Sequence, residues 1–574
     1  MRHQIIVLKV GSSVLQTAAD LPQAVHEIYR WIRQQYRVVA VVSAFSGETD
    51  RLLRSVAQYG DAQPESVARI VATGEEIATA SLALELDRFG IPAQVLDASQ
   101  IQLIADTCGN DTEPVSVNVE RIQEVLRLGR VAVVPGFVAR DRGGRVALFG
   151  RGGSDLSALF LAKSLKAKCR LIKDVDGIFN CDPSTSPAAR RFDEITFADA
   201  FSIGAKIVQP KGIAFAEREG IQFEVVKVGA SDGTRVGSRR SILSSSRTEP
   251  RRLKVGLLGL GTVGLGVFQE LWKQSHWFDV IGIAVRRPDR HSQDAPGHLL
   301  TSDCLEVINE ADVVVELIGG VEPAGDLVQA ALAAGKTVVT ANKLLVAENA
   351  GLGRSPKLRY SAAVGGAVPV LEAVDALADD GGIVALSGIL NGTCNYVLDR
   401  IAAGCEFGEA VAEAQAKGIA EQDPRADLSG SDTVCKLHLL ARRAFPGAVS
   451  VSVQATGIER IDPEWVRSIA QNGGRVRLVG TARGNQDRVE LTVTPKNFCA
   501  DHPFAQIRNE ENCLLISTES SRSTDSFQHA WTGRGAGRWP TTAAVMADLF
   551  DVYREYHNRP SPLPRSLAGV GGVA

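Results

Sequence analysis

From Ile5 to about Val228, short runs of Val, Ile and Leu alternate with longer stretches of helical period. The apolar runs at 5–8, 38–42, 131–134 and 170–173 predict buried strands, and the stretches at 64–89 and 154–166 predict helices between them. That alternation is the mark of a parallel sheet covered by helices. Between Gly229 and Arg252 the chain turns polar and rich in Ser, Arg and Gly, which predicts a linker at 230–252. A second strand–helix unit follows at 255–275, with further strands at 280–285, 313–318 and 337–340, the order of a doubly wound dinucleotide fold. After about 360 the pattern becomes α+β, with strands at 383–390 and 488–494 and helices at 408–417 and 430–445. The last stretch, 556–574, has no periodicity and predicts a disordered tail.

The expected organisation is therefore α/β. An αβα sandwich spans 1–229. A Rossmann part follows at 253–360, completed by about 530–555, and an α+β catalytic and dimerisation part at 361–530. Composition agrees with several folded units, because 574 residues exceed one core and roughly 150 residues per domain suggests three or four. A net charge of −3 argues against nucleic acid as a partner. No apolar run approaches the roughly 18 residues of a membrane span, and Met1 leads almost directly into a strand, so a cytoplasmic location is expected. Nine cysteines without a Cys-x-x-Cys pair argue against both disulfides and structural zinc.

Two glycine loops change the picture from fold to chemistry. Each follows an apolar run and precedes a helix: Lys9-Val10-Gly11-Ser12-Ser13, and Gly259-Leu260-Gly261-Thr262-Val263-Gly264. A strand, a glycine turn and a helix N-terminus together make an anion site. About 20 residues past the second loop, where an NAD site places an acidic residue, stand Arg286 and Arg287. A guanidinium there can clasp a 2′-phosphate, so NADP(H) is expected in preference to NAD(H).

Three further motifs carry a resemblance: Thr340-Ala341-Asn342-Lys343, Asn391-Gly392-Thr393-Cys394-Asn395-Tyr396, and Gly418 to Asp427 continuing through Asp432 and Lys436. Together they resemble homoserine dehydrogenase over about 253–553. The resemblance implies Lys436 and Lys343 as catalytic lysines, with Asp432 in their network. Glu421 and Asp427 would hold the amino acid. Gly259, Gly261, Thr262, Val263, Gly264, Lys343 and the late glycines Gly535 and Gly537 would hold the dinucleotide. Independently of the family, aldehyde reduction needs a cation or acid where negative charge develops on oxygen, and lysine suits that task. Asp432 and Lys436 lie four apart on a predicted helix, so both project from one face. The resemblance also implies Na⁺ or K⁺ on the main-chain carbonyls of Ser361, Val364, Gly366 and Val368, although Ser361 stands where the family usually has Glu.

In the first half, Ser43-Ala44-Phe45-Ser46-Gly47, Thr73-Gly74-Glu75-Glu76, Gly150-Arg151-Gly152-Gly153-Ser154-Asp155 and Lys173-Asp174-Val175-Asp176-Gly177-Ile178-Phe179 resemble the amino-acid kinase fold, and aspartate kinase in particular. Glutamate 5-kinase competes through Lys-Val-Gly-Ser-Ser, and the Gly-Arg-Gly-Gly-Ser-Asp block favours aspartate. The resemblance implies catalytic Lys9 and Asp155, and aspartate held by Arg151 and Glu75 near Ser43. ATP with Mg²⁺ would lie against Gly11, Ser12, Lys173, Asp174, Phe179 and Lys206. Here Lys173, Phe179 and Ser184 replace the common Thr, Tyr and Arg, all on the nucleotide side. Chemically, a carboxylate is already an ionised nucleophile, so the protein's work is positioning and charge neutralisation.

The reading is a bifunctional enzyme for the two reactions, acting on small molecules and assembled as a homodimer or homotetramer. The alternative keeps the dehydrogenase and makes the first unit a non-catalytic ligand-binding or oligomerisation module. Aspartate kinases usually carry ACT regulatory domains of roughly 60–80 residues. The 230–252 segment has no room for one, so feedback by threonine or lysine through such a domain is expected to be absent.

Overall fold

The computed structural model describes residues 4–60, 62–204, 207–244, 251–349, 351–484, 487–518 and 529–557. Lys206 and nearly all of the expected tail lie outside these residues.

The first unit is built on a nine-stranded sheet whose centre is Lys168–Lys173, Ile5–Val10, Arg37–Val42 and Val131–Pro135, all parallel. These strands are buried almost throughout, as their unbroken apolar runs require when helices cover both faces. One edge departs from expectation. Thr234–Gly237 inserts between Phe192–Thr196 and Phe223–Lys227, and Ile242–Leu243 adds beyond Phe192–Thr196. The segment expected to be a linker from 230 thus supplies two strands to the sheet. The reason is hydrogen bonding at the sheet edge, anchored by Thr234, whose hydroxyl donates 2.7 Å to the Phe192 carbonyl.

The second unit carries a six-stranded parallel sheet ordered Leu300–Thr301, Phe278–Ala284, Leu253–Leu258, Val313–Glu316, Thr337–Thr340, Leu358–Arg359. Its order reverses beside the first strand, the crevice where doubly wound sheets bind ligands. The third sheet is mixed: Ser450–Ala455, Arg488–Phe498, Arg475–Gly484, Ile383–Ile389, Glu511–Thr518, His529–Arg534. The long helix Arg538–His557 returns to the dinucleotide unit. It packs so closely on Thr262–Lys273 that a Cβ on Gly266 would stand 2.6 Å from the Thr542 hydroxyl.

The first unit docks on this assembly through the helix Leu21–Arg33. Arg30 and Arg33 in its last turn suit the helix dipole, and ten of its side chains are buried, which a helix with only one neighbour does not show. Val25, Ile28 and Tyr29 join Ala367, Ala543 and Ala547 in one apolar cluster. Polar contacts tie its margins: His26 Nε2 lies 3.2 Å from Glu270 Oε2, Trp531 Nε1 donates 2.8 Å to Gln35, and the Arg534 amide donates 2.9 Å to the Gly90 carbonyl.

Candidate functional sites

At the C-terminal ends of the first sheet's central strands lies a cavity of about 790 Å³. Lys9 projects from Ile5–Val10 and Lys173 ends Lys168–Lys173. Asp155 opens the helix Gly153–Leu165, preceded by Gly152 at φ +80°. Asp155 is buried between the two lysines: Oδ1 is 2.9 Å from Lys9 Nζ, and Oδ2 is 2.9 Å from Lys173 Nζ. Burial pushes the Asp155 carboxyl up, but Lys9 and then Lys173 outweigh it, and the group is held below the usual range. Lys173, crowded by burial and by Lys9, is pulled down to about 8. A Cβ on Gly11 would meet the Lys9 ammonium at 2.8 Å, so glycine is what lets that charge lie over the loop.

Ser12, Ser43, Glu75, Arg151 and Asp174 also line the cavity. Phe179 is not among its lining residues and instead bridges Arg191. The pairing of Lys173 with Asp155 is a difference from the sequence reading, which placed Lys173 only against nucleotide.

Glu75 is buried, and desolvation raises its carboxyl to about 8 against the pull of the Ala44 amide and Lys9. The folded chain therefore holds this proton more tightly than the unfolded chain. The resulting stability is fully present below about pH 4.5 and is lost as pH rises through about 8. Glu75→Gln is expected to outlast the parent in thermal unfolding at pH 9 by on the order of 2 kcal/mol, a discounted part of the roughly 1.4 kcal/mol carried by each pKa unit. At pH 6 the gap shrinks to less than half of this, and it closes below about pH 4.5; an equal gap at pH 9 and pH 4.5 contradicts the assignment.

The second site gathers residues from four elements. Lys343 opens the helix Lys343–Glu348 after the Thr337–Thr340 strand, where Asn342 caps with its side-chain oxygen. Asp432 and Lys436 share one face of Ser431–Ala444. Lys343 donates to Asp432 Oδ1, while Lys436 Nζ lies 2.9 Å from Oδ2 and donates 2.8 Å to the Leu390 carbonyl. Burial raises the Asp432 carboxyl, but Lys436 and Lys343 overcome it and hold it far below its usual range. Burial lowers Lys343, and Asp432 more than reverses this. Asn391 Nδ2 bridges Asp427 Oδ1 at 2.7 Å and Asp432 Oδ2 at 2.9 Å, and the Thr393 hydroxyl donates 3.0 Å to Asp427 Oδ2. Glu421 is exposed, and the structure does not bring its carboxylate into this network.

The assignments from sequence did not include Asn391, Thr393 or the Leu390 carbonyl. The signal for the first two was the quoted Asn391-to-Tyr396 motif, whose asparagine also caps the helix Gly392–Ala402. A main-chain carbonyl leaves no signal in a side-chain sequence.

The second glycine loop divides its tasks. Gly259 has φ +100° and no room for a Cβ, which would lie 2.8 Å from the Leu317 carbonyl; a Cβ on Gly264 would reach 2.5 Å from the Gly259 carbonyl. A Cβ on Gly261 would meet nothing within 4 Å, which leaves open space before the helix Thr262–Lys273, whose N-terminus has no side-chain cap. Thr262 and Val263 form the first turn of that helix. The residues present fit a pyrophosphate at this point. Arg286 and Arg287 are exposed just beyond the strand Phe278–Ala284. Gly537 has φ +111°, and a Cβ on Gly535 would overlap the Asn512 side chain at 1.7 Å.

In the segment expected to carry a monovalent cation, the Ser361 carbonyl accepts from Val364 N at 3.2 Å, and the Val368 carbonyl accepts from Val370 N at 2.7 Å. The Gly366 carbonyl accepts from the Tyr29 hydroxyl at 3.5 Å. Each of these carbonyl oxygens keeps a second lone pair as an acceptor. Among the described residues no cluster of three His, Cys, Asp or Glu side chains could hold a metal ion. No described helix is long and apolar enough to cross a membrane.

Comparison with known proteins agrees with this geometry. Residues 4–227 match the amino acid kinase family, 259–368 the NAD-binding domain of homoserine dehydrogenase, and 369–550 homoserine dehydrogenase. A homoserine dehydrogenase of Synechocystis sp. is 33% identical over 321 residues, which cover 52% of this chain and 73% of that protein. One from Pseudomonas aeruginosa is 35% identical over 326 residues, covering 54% and 74%. An aspartate kinase of Stutzerimonas stutzeri is 33% identical over 227 residues, covering 39% of this chain and 55% of that protein. The chain thus spans about half the length of that kinase relative.

Proposed function

The chain belongs to the homoserine dehydrogenase family and carries an amino acid kinase domain before it, and from that premise we propose that it phosphorylates L-aspartate with ATP and reduces L-aspartate 4-semialdehyde to L-homoserine. The observation that carries this reading is a motif the two sites share: a buried aspartate held between two lysines, Asp155 with Lys9 and Lys173, and Asp432 with Lys343 and Lys436. Each places positive charge where the respective reaction develops negative charge.

In the dehydrogenase site the bound dinucleotide supplies hydride. Asp432 favours the charged form of Lys343 and pairs with Lys436, which the Leu390 carbonyl aims. An ammonium beside the substrate carbonyl can then stabilise and protonate the forming alkoxide. Asp427, fixed by Asn391 and Thr393, is the anionic group we assign to the substrate ammonium; Glu421, exposed on its loop, is assigned as a second partner by the family resemblance alone. In the kinase site the aspartate side-chain carboxylate is the nucleophile, Lys9 and Lys173 neutralise the transferring phosphoryl group, and Glu75 and Arg151 hold the amino acid. ATP brings Mg²⁺ on its phosphates.

NADPH is favoured over NADH because Arg286 and Arg287 stand where the ribose 2′ position is expected. Arg286→Ala/Arg287→Ala is expected to raise KM for NADPH about tenfold while leaving NADH within about twofold; steady-state kinetics with both dinucleotides decide it, and parallel rises refute the assignment. Na⁺ or K⁺ at the Ser361–Val368 carbonyls is part of the same reading. Exposed Val451 and Val453 on the edge strand Ser450–Ala455, with Val449 just before it, support a homodimer or larger homo-oligomer. All nine cysteines are free, in keeping with a reducing cytoplasm. The reading is tested by hydroxylamine trapping of aspartyl phosphate, with NADPH-dependent reduction of aspartate semialdehyde assayed in the same preparation. Reduction without trapped product leaves the alternative, a non-catalytic first unit. Glutamate accepted in place of aspartate changes the kinase substrate.

A further inference from the structure

The last residue of the docking helix, Arg33, enters the dehydrogenase. Its side chain is only 8% exposed and reaches carboxylates on two separate helices. Nε donates 2.8 Å to Glu372 Oε1, Nη2 donates 2.5 Å to Asp548 Oδ1, and Nη1 lies 3.1 Å from Asp551 Oδ2. Ser361 completes the cluster. Its hydroxyl donates 2.7 Å to Glu372 and accepts from Arg33 at 3.2 Å, and its amide donates 3.2 Å to Asp548 Oδ2. A carboxylate in place of Ser361 would add a fourth negative charge to a cluster whose central cation is Arg33, Asp551 alone among the described residues of the cluster having a second cationic partner, in Arg554. The serine therefore fits a site that the first unit supplies with its cation.

The cluster lies under a segment that supports the late glycine loop. Ala367 N donates 3.1 Å to the Arg534 carbonyl, and a Cβ on Gly366 would press to 2.6 Å from the Gly535 carbonyl carbon. Asp548 and Asp551 belong to the same helix that leaves this loop at Arg538. Asp548 is fully buried, and Arg33 is the only cation paired with it among the described residues; a buried carboxylate stripped of that cation is costly to ionise.

We propose that Arg33 of the kinase unit is a positioning residue of the dehydrogenase: its guanidinium locks the Ser361–Val368 segment to the Arg538–His557 helix and thereby sets the Gly535–Gly537 loop for the dinucleotide. The first unit is then a working part of the second, whether or not it transfers phosphate. This rests on the dehydrogenase half of the reading above and is independent of the kinase half.

The full-length chain is compared with Arg33→Met, Arg33→Lys and the double variant Arg33→Met/Asp548→Asn. NADPH binding is followed by its fluorescence, and KM and kcat by aspartate semialdehyde reduction. Arg33→Met is expected to weaken NADPH about tenfold in Kd and KM with kcat reduced much less; Arg33→Lys falls between it and the parent. The lock stays broken in the double variant, so its affinity stays close to that of Arg33→Met. The proposal is overturned if Arg33→Met binds NADPH within about twofold of the parent, or if the double variant binds as tightly as the parent. Should Arg33→Met fail to fold, Arg33→Lys with and without Asp548→Asn gives the same comparison. Parent protein that binds NADPH but does not reduce the aldehyde refutes the substrate reading while leaving the binding test of Arg33 intact.

Discussion

Asp432→Asn is expected to lower the turnover of aspartate semialdehyde by about 10²- to 10³-fold, the range seen when a preorganised charge-stabilising group is lost. The substitution preserves volume in a buried position and changes charge alone. Lys343 and Lys436 would then face each other across an uncharged amide, and Lys343, without the carboxylate that raises it, would give up its proton at a lower pH than in the parent. The Asn391 amide, which donates to both Asp427 and Asp432, would lose one of these two anionic acceptors as well. Because the dinucleotide is expected at Gly259–Gly264, NADPH affinity should stay within about threefold. The pH profile is the sharper readout: the variant's activity should begin to fall at a lower pH than the parent's. A kcat within about fivefold of the parent would mean that the lysine pair does not act through this carboxylate.

Asp155→Ala carries the second large effect, a fall of about 10³-fold or more in trapped aspartyl phosphate. Lys173 already sits near 8 with Asp155 present, and removing its counter-charge leaves two ammonium groups in one buried site. At pH 7.5 Lys173 would then be largely neutral, and the cavity would lose the charge that receives the phosphoryl group. Dehydrogenase turnover in the same sample should remain within about twofold, because Asp155 is far from the docking helix in the chain and is absent from the shared cluster. Kinase activity that survives the substitution removes Asp155 from the mechanism.

Much of this was legible in the sequence because it is local. The Rossmann strands follow from apolar runs spaced by helices. The Asp432–Lys436 pair follows from a four-residue step, and the glycine loops from their position between strand and helix. What escaped is non-local. Thr234–Gly237 and Ile242–Leu243 lie in a Ser- and Arg-rich stretch too short to show alternation, and only the edge hydrogen bonds of the sheet make them strands. Arg33, Glu372 and Asp548 are hundreds of residues apart, each an ordinary charged residue on its own helix. Lys173 looked like a replacement on the nucleotide side until the fold set it against Asp155.

The strand Ile242–Leu243 also changes how the two units hold together. Only nine residues separate Leu243 from Leu253, the first residue of the dinucleotide sheet. Fully extended, that tether reaches roughly 30 Å, so each unit experiences the other at an effective concentration in the millimolar range. An interface of modest intrinsic affinity is therefore saturated in the intact chain. The strength of the contacts themselves is read only after the tether is cut, when they must compete with dilution.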